Sequence, residues 1–452
     1  MTDSAPDAAL AAARADDAFG VDLYRVLGAS GGNMVFSPAS IAAALRMALL
    51  GARGETAAQL ATALHLASPQ DSADGLRLLS AGLPRLSGGV TFRAPNTMWV
   101  QSGLPLLPEF TTVLTGLAAV TLRDADFAHA AEQARLQINA TIAEQTAGKI
   151  ADLLPPRAVG PLTRLVLANA VYLNAAWAQP FQVAETTDAP FYLSGDGTDG
   201  ASAGGPSTGG ASTGRPSTGA PSTGGASTGG AGTGGPSTGG PSTGGASTGG
   251  ATTGSASTGS ANASGGSVIS VPMMHRIGRL GYLRGSGYQA VILPYAGGLL
   301  AMAVILPDGP LGPLEEMLAA HGTAGLLTGM TPQQVRLALP RFRATESFSL
   351  EPFLKSLGVA AAFDRYQADF SGITKAAELF IGAAVHKAYI DVDEHGTEAA
   401  AATGVAISAR MAIIQEPPPV VVTVDRPFLF AITDVATGLP LFLGRVADPA
   451  AG

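Results

Sequence analysis

Hydrophobic residues recur with a helical period in the first third of the chain. Residues 34–66, MVFSPASIAAALRMALLGARGETAAQLATALHL, predict a short strand and then a helix, with Ser37 as the N-cap and Pro38 in the first turn. A second helix is predicted to follow Gly54. Residues 132–154 show the helical period again, so this part of the chain is predicted to be mainly α-helical.

The later part of the chain shows the patterns of β-strands. Residues 164–181, RLVLANAVYLNAAWAQPF, are apolar almost throughout and indicate a central strand. In residues 384–394, AVHKAYIDVDE, the even-numbered residues from 386 to 392 are expected to share one buried face. Residues 424–446 predict two strands joined by a turn near Gly438. Early helices and late strands together favour an α+β fold with large antiparallel or mixed sheets.

A low-complexity repeat interrupts these patterns between residues 197 and 266. It consists of five-residue units such as GGPST and GGAST, and this composition cannot bury enough apolar surface to offset the entropy of ordering. We therefore expect a disordered insertion within one domain, whose two parts are residues 15–196 and 267–449. A linker between two domains is the alternative. The G-x-S-x-G match around Ser212 lies in the repeat without a strand–turn–helix context, so it does not indicate a hydrolase.

Composition and charge exclude several classes of function. The chain has 452 residues, a net charge of −8 and no basic run, so we expect no nucleic-acid partner. It has no cysteine, and its six histidines lack the spacing of metal ligands, so we expect no metal, no cofactor and no enzymatic activity. The long apolar runs contain Gly and Pro and predict buried strands rather than a membrane span. The acidic N-terminus predicts no signal peptide, which leaves the cytoplasm and non-classical export to the extracellular space both open.

The stretch DEHGTEAAAATGVAISARMA, residues 393–412, does not fit a stable helix despite its alanines. Gly396, Gly404 and the β-branched residues near its end disfavour a helix, and an isolated helix of this length is marginal in water. In an extended strand, alternate residues from Thr397 to Ile407 would share one face, and all of them are small or β-branched. Such a segment suits both a solvated loop and a packed strand. An alanine-rich linker is the alternative.

Six blocks of sequence resemble the serpins, and they occur in the order of that family. The resemblance runs from about Asp17 to Pro449 and is interrupted by the repeat. It implies an α+β serpin fold with three β-sheets, eight or nine helices and an exposed reactive loop at about residues 394–417. It also implies a monomer that inhibits a serine protease as a suicide substrate, by inserting the cleaved loop into the main sheet; serpin loop insertion is itself a standard example of strand addition. The blocks are NMVFSPASIAAALRMALLGARGET, INATIAEQTAGKI, LVLANAVYLNAAWAQPF, LGVAAAFDRYQADFSGIT, VHKAYIDVDEHGTEAAAATG and DRPFLFAITDVATGLPLFLGRV.

The family's spacing implies which bond a target protease would cleave. Thirteen residues beyond the hinge threonine, Thr397, stands Arg410, followed by Met411. Arg410 is the only basic residue between Lys387 and Arg426, and a guanidinium suits a protease pocket floored by a carboxylate. The implied partner is therefore a trypsin-like serine protease. A register error of one residue would make Met411 the determinant and favour a chymotrypsin- or elastase-like protease.

The resemblance implies three further groups of residues. The breach, where insertion starts, comprises Trp177 and Arg341, and Arg341 holds the position of the basic partner of Glu394. Glu398 is expected on the face opposite to the inserting one, held by water. The shutter, where the sheet opens, comprises Ser37, Ser40, Asn169 and His386. The hinge comprises Glu394, Gly396, Thr397, Glu398, Ala399, Ala400, Ala401, Ala402 and Thr403.

The alternative function is that of a non-inhibitory serpin that acts as a binding protein or chaperone. Such members tend to carry bulky, charged or proline residues in the hinge. The inserting face of this hinge carries none, which favours the inhibitory type.

Overall fold

The computed structural model describes residues 4–68, 71–82, 90–117, 120–193, 267–398 and 417–451. The helices of these residues are α1 (Ser4–Leu27), α2 (Pro38–Gly51), α3 (Gly54–Ala63), α4 (Asp71–Gly82), α5 (Pro108–Thr115), α6 (Phe127–Gln145), α7 (Leu311–Leu326) and α8 (Glu351–Ser356). The strands are β1 (Met34–Phe36), β2 (Val90–Arg93), β3 (Asn96–Gln101), β4 (Thr121–Ala125), β5 (Leu165–Ala176), β6 (Thr187–Tyr192), β7 (Val268–Arg284), β8 (Tyr288–Pro294), β9 (Leu300–Pro307), β10 (Thr331–Pro340), β11 (Phe342–Ser349), β12 (Ile381–Val392), β13 (Gly396–Thr397), β14 (Val420–Thr423), β15 (Phe428–Asp434) and β16 (Pro440–Val446).

Local sequence signals explain where several of these elements begin and end. The Ser37 hydroxyl accepts a hydrogen bond from the Ser40 N–H at 3.2 Å, and Pro38 is the first residue of α2, as the sequence predicts. Helix α3 begins at Gly54. The predicted turn between β15 and β16 contains Gly438, whose φ of 72° favours glycine. These short-range predictions are confirmed because each depends on residues that are neighbours in the chain.

The smaller sheet, which we call the main sheet, has seven strands. Its order is β11–β12–β13–β5–β3–β4, and β2 also pairs with β5. Strands β5 and β12 are parallel neighbours, in a register that places His386 opposite Asn169. At one end of this pair, β13 lies between the two strands and is antiparallel to both. The main sheet is therefore mixed, and its central parallel pair is separated only at that end.

The larger sheet has nine strands and is continuous. Its order is β1–β16–β15–β9–β8–β7–β10–β14, and β6 pairs with β7. The 17-residue strand β7 pairs with β6 near its start, with β10 along most of its length and with β8 near its end. Because this one strand bridges all three partners, the described residues form two hydrogen-bonded sheets where the resemblance implies three. The α+β fold class is confirmed.

The core lies on both faces of the main sheet. Helix α2 is buried along nearly its whole length and packs against β3 and β5. Helix α6 covers the other face, where Ile138 and Ile142 pack with Val166 and Ala168 of β5. Within the first half of β5, Leu165 and Leu167 thus lie in the core on the α2 side, whereas Val166, Ala168 and Ala170 lie on the α6 side. This alternation decides on which side each polar residue of the sheet lies.

The chain on either side of the repeat belongs to one compact unit, which comprises Met1–Gly200 and Ser260–Gly452. Strand β6 precedes the repeat and pairs antiparallel with β7, which follows it, and the Leu193 N–H donates to the Ser267 carbonyl at 2.9 Å. The two ends of the repeat are therefore neighbours, as an insertion within one domain requires. The repeat itself lies outside the described residues, so its predicted disorder and the domain boundaries stay predictions.

Candidate functional site

The start of the predicted hinge already forms a strand of the main sheet. In β13, Gly396 lies opposite Ala176 and Thr397 opposite Ala175, and Thr397 also lies opposite Val392 of β12. The backbones approach so closely that a Cβ on Gly396 would stand 2.1 Å from the Ala175 carbonyl oxygen, and the φ of Gly396 is 154°. Position 396 therefore requires glycine.

Two stacked aromatic rings hold the hinge at the predicted breach. The hydroxyls of Thr397 and Tyr295 are hydrogen-bonded at 2.6 Å, and both residues are buried. The Tyr295 ring stacks on Trp177 with 4.6 Å between ring centroids. The Trp177 indole N–H donates to the Asp393 carbonyl at 2.9 Å, and its backbone N–H donates to the His395 carbonyl at 2.8 Å. Trp177 thus fixes the chain on both sides of Glu394.

Glu394 and Arg341 form the pair that the sequence predicts. The guanidinium is 2.6 Å from Glu394 Oε1, and the Thr186 hydroxyl donates to the same oxygen. The glutamate side chain is only 2% exposed, whereas that of Arg341 is 42% exposed. Burial acts to raise the pKa of Glu394, but the hydrogen bonds from Arg341 and Thr186 outweigh it and leave the pKa below its ordinary value. The carboxylate is therefore held ionised inside the hinge.

The four predicted shutter residues form one buried hydrogen-bonded cluster with a fifth, Asn96. The Asn169 amide donates to the Ser40 hydroxyl at 2.7 Å and also to the Asn96 side chain. The Ser40 hydroxyl donates to the side-chain amide oxygen of Asn96, Oδ1, at 2.6 Å. His386 bonds to Asn169 through Nδ1 and accepts from the Ser37 N–H through Nε2 at 3.2 Å. The cluster ties α2, β3, β5 and β12 together at the middle of the main sheet.

His386 is neutral in this cluster. Burial lowers the pKa of His386 to about 3. Because Asn169 presents its carbonyl oxygen to Nδ1, the imidazole proton is on Nδ1, and Nε2 is free to accept from the Ser37 N–H. Protonation would place a second N–H against that donor, so the charged form does not fit the cluster.

Glu398 differs from the sequence-based expectation. It lies on the face opposite to Thr397, as predicted, but water does not hold it: its side chain is only 16% exposed and is ion-paired with Lys149. The lysine follows helix α6, which covers this face of the sheet. The expectation was wrong because the alternation of a strand predicts the face but not what covers it.

The remaining predicted residues lie outside the described residues, so their roles stay predictions. Several partners in the site were not predicted from the sequence, because each is brought in by a contact between distant parts of the chain. Those partners are Asn96, Lys149, Asn174, Thr186 and Tyr295. The predicted residues outside the described ranges are Ala399, Ala400, Ala401, Ala402, Thr403, Arg410 and Met411.

The described residues offer no cluster of three or more His, Asp or Glu side chains that could hold a metal ion. Among the described helices, none is both long and apolar enough to cross a bilayer.

Comparisons with known proteins agree on one family. A family model described as "Serpin (serine protease inhibitor)" matches residues 14–200 and 262–449. A serpin-like protein of Thermococcus kodakarensis is 33% identical over 96% of this chain and 85% of its own length, and mouse (Mus musculus) leukocyte elastase inhibitor A is 31% identical over 96% and 98%. The crystal structure of a highly specific serpin of the insect Tenebrio molitor superposes with a TM-score of 0.71 at 26% identity, covering 99% of each chain.

Proposed function

This chain belongs to the serpin family of serine protease inhibitors, and we propose that it is a suicide-substrate inhibitor of a trypsin-like serine protease, with Arg410–Met411 as the reactive bond. The family is one of protease inhibitors and not of enzymes. Membership supports the coarse function, inhibition of a serine protease. The specificity and the residues that carry it are the proposal.

The observation that carries the proposal is the position of β13. A strand that is antiparallel to both β5 and β12 has already entered between them at one end of the main sheet. The segment that follows, residues 399–407, is uncharged, free of proline and made mostly of small residues. It can therefore extend β13 without burying a charge or losing a ladder hydrogen bond to proline.

Cleavage would start as ordinary substrate hydrolysis. The protease serine attacks the Arg410 carbonyl, the Arg410–Met411 peptide bond breaks, and the new amine leaves on Met411 while Arg410 stays esterified to the serine. Extension of β13 would then carry the acylated protease along the main sheet before water hydrolyses the ester. Inhibition results because insertion is faster than deacylation.

Insertion requires that β5 and β12 separate. The hydrogen bond between His386 and Asn169 crosses this strand pair and would have to break. The shutter cluster therefore resists separation of the strands until the inserting loop can supply new hydrogen-bond partners. The Glu394–Arg341 pair and the Trp177–Tyr295 stack hold the entry point in place while the strands part. These contacts support shutter and breach roles for the residues.

The test is incubation with trypsin, followed by a denaturing gel and mass spectrometry. We expect a covalent 1:1 complex whose acyl linkage is at Arg410. Arg410→Ala is the matched variant and should form no such complex with trypsin. In parallel, the chain is incubated with an elastase and with chymotrypsin.

Each outcome has a distinct meaning. Cleavage after Arg410 without a stable complex would replace the proposal with a substrate-type or non-inhibitory serpin. A complex with elastase or chymotrypsin alone would move the reactive bond to Met411–Ala412, a specificity in keeping with the name of the mouse leukocyte elastase inhibitor.

A further inference from the structure

Strand β13 ends at a residue whose backbone leaves the extended conformation. Glu398 has a φ of 50°, in the left-handed region that residues other than glycine rarely adopt. Its N–H donates to the Asp391 carbonyl at 2.9 Å, and its own carbonyl accepts a hydrogen bond from the Asn174 amide. Glu398 is therefore bonded to both strands that flank the hinge. These bonds must offset the cost of its backbone conformation.

Lys149 is held in place to meet the Glu398 carboxylate. Its N–H donates to the Thr146 carbonyl at 3.0 Å in the turn that follows α6. Its ammonium group is paired with Glu398 Oε1 and lies 5.8 Å from the centre of the Tyr389 ring in β12. The lysine side chain is 40% exposed, whereas that of the glutamate is 16% exposed. The lysine is thus more exposed to water than its partner.

The two carboxylate oxygens of Glu398 have unequal surroundings. Oε1 faces Lys149, whereas Oε2 is buried and accepts no hydrogen bond from the described residues. Lys149 is the only cation paired with this carboxylate in the described part of the chain. Without the lysine, a nearly buried negative charge would be left unpaired, which costs more than the pair itself contributes.

We propose that Lys149 is a positioning residue that keeps Glu398, and with it the hinge, inserted in the main sheet, and so limits how fully the reactive loop is presented to a protease. The presentation of the loop rests on the proposed function, but the insertion of the hinge does not. When Lys149 is neutralised, the unpaired carboxylate returns to water, and it draws residues 396–398 out of the sheet. The loop is then longer and more accessible.

The first test measures the hinge without any protease. Hydrogen–deuterium exchange is followed in the peptide that contains residues 393–398, in which the Asp393 and Glu398 N–H groups donate to the Gly396 and Asp391 carbonyls. We expect the amides of this peptide to exchange about three- to tenfold faster in Lys149→Met than in the parent chain. This factor corresponds to the loss of a partly screened ion pair. Lys149→Arg keeps the charge and should restore slow exchange. Lys149→Gln is made in parallel in case the Met variant does not fold.

The second variant isolates the role of the unpaired charge. Glu398→Gln removes the carboxylate and leaves Lys149 half exposed to water, so exchange should stay near that of the parent chain. The double variant Lys149→Met/Glu398→Gln should also stay near the parent, because no buried charge remains. Lys355→Met is the matched control: Lys355 is a similarly exposed lysine, paired with Glu351 on α8.

The third measurement is the rate of complex formation with trypsin. We expect Lys149→Met to raise the second-order rate about three- to tenfold, in proportion to the population with an expelled hinge. Unchanged exchange and an unchanged rate in both Lys149→Met and Lys149→Gln would overturn the inference. If exchange is faster in Lys149→Met but the parent chain forms no covalent complex with trypsin, the role of Lys149 in the hinge would stand and the proposed function would be rejected.

Discussion

His386 is held as a neutral imidazole by two hydrogen bonds that only one tautomer can make. Nδ1 donates to Asn169 across the strand pair, and Nε2 accepts from the Ser37 N–H at the start of α2. The residue is fully buried, so its proton affinity reports on whether the shutter is closed. A group in this setting links the stability of the main sheet to pH.

We predict that His386 makes the native state less stable in mild acid. Its pKa is about 3 in the folded chain and about 6.5 when unfolded, so the unfolded state binds the proton first as the pH falls. The contribution of His386 to the free energy of unfolding is complete above about pH 6.5 and is lost progressively toward pH 3. The loss is roughly 2 kcal/mol at pH 5. Urea unfolding of the parent chain and of His386→Gln at pH 7.5 and 5.0 measures it.

The variant should lose less free energy of unfolding between these two pH values than the parent chain does. His129→Gln is the control for a histidine outside the shutter, because that side chain is 84% exposed. Equal losses in the parent chain and in His386→Gln would exclude the shutter histidine as the source.

Single residues of the site differed in how far the sequence could predict them. The resemblance indicated Trp177, Arg341 and the shutter residues, and their breach and shutter roles stay predictions. It did not predict Asn96 or Lys149, since each joins the site through a contact with residues far away in the chain. The burial of Glu398 was missed for the same reason: its partner Lys149, in the turn that follows α6, is about 250 residues away in sequence.

At the scale of elements, the register of β13 determines where the rest of the loop would lie. Thr397 is opposite Ala175 of β5 and opposite Val392 of β12, and the inserted strand runs antiparallel to both. Six residues further along, the same register places Thr403 opposite Asn169 and opposite His386. These are the two residues whose mutual bond must break when the strands separate. A threonine hydroxyl can both donate and accept, so it can satisfy both groups in the opened sheet.

We predict that the hydroxyl of Thr403 is needed for efficient trapping. Thr403→Val keeps the shape but leaves the shutter groups unsatisfied, which costs about 1–3 kcal/mol in the inserted state. Insertion should slow, and more chain should be cleaved per molecule of trypsin trapped. Thr403→Ser keeps the hydroxyl and should behave like the parent chain. Densitometry of complex and cleaved bands gives the ratio, and equal ratios for Val and Ser would contradict the register.

The elements themselves were largely predictable, because local periodicity and caps decide them. The N-cap at Ser37, the start of α3 at Gly54 and the alternating burial of β12 follow from residues close in sequence. The partial insertion of the hinge was not predicted. It depends on space between two distant strands and on the close approach that only Gly396 allows, and neither leaves a periodic signal in the sequence.

At the scale of the whole molecule, the proposed function requires the main sheet to accept a further strand. Eight pairs of residues keep β5 and β12 together in a parallel register, whereas the hinge is antiparallel to both strands. Full insertion would replace one parallel pairing with two antiparallel ones, which are slightly more stable per residue. It would also bury the apolar face of residues 399–407. Under the proposed function, the uncleaved state would be retained by a kinetic barrier rather than by its free energy.

Cleavage of the single bond after Arg410 should therefore raise the thermal stability of the chain. An extension of β13 by about ten residues adds hydrogen bonds worth about 1 kcal/mol each, which corresponds to a rise in Tm on the order of 10 °C or more. Circular dichroism melts of the intact chain and of the chain cut in its loop measure this rise. Thr403→Arg should prevent it, because a guanidinium would have to be buried against the shutter. If the cut parent chain melted at the temperature of the intact one, the loop would not have entered the sheet, and trapping by insertion would have to be abandoned.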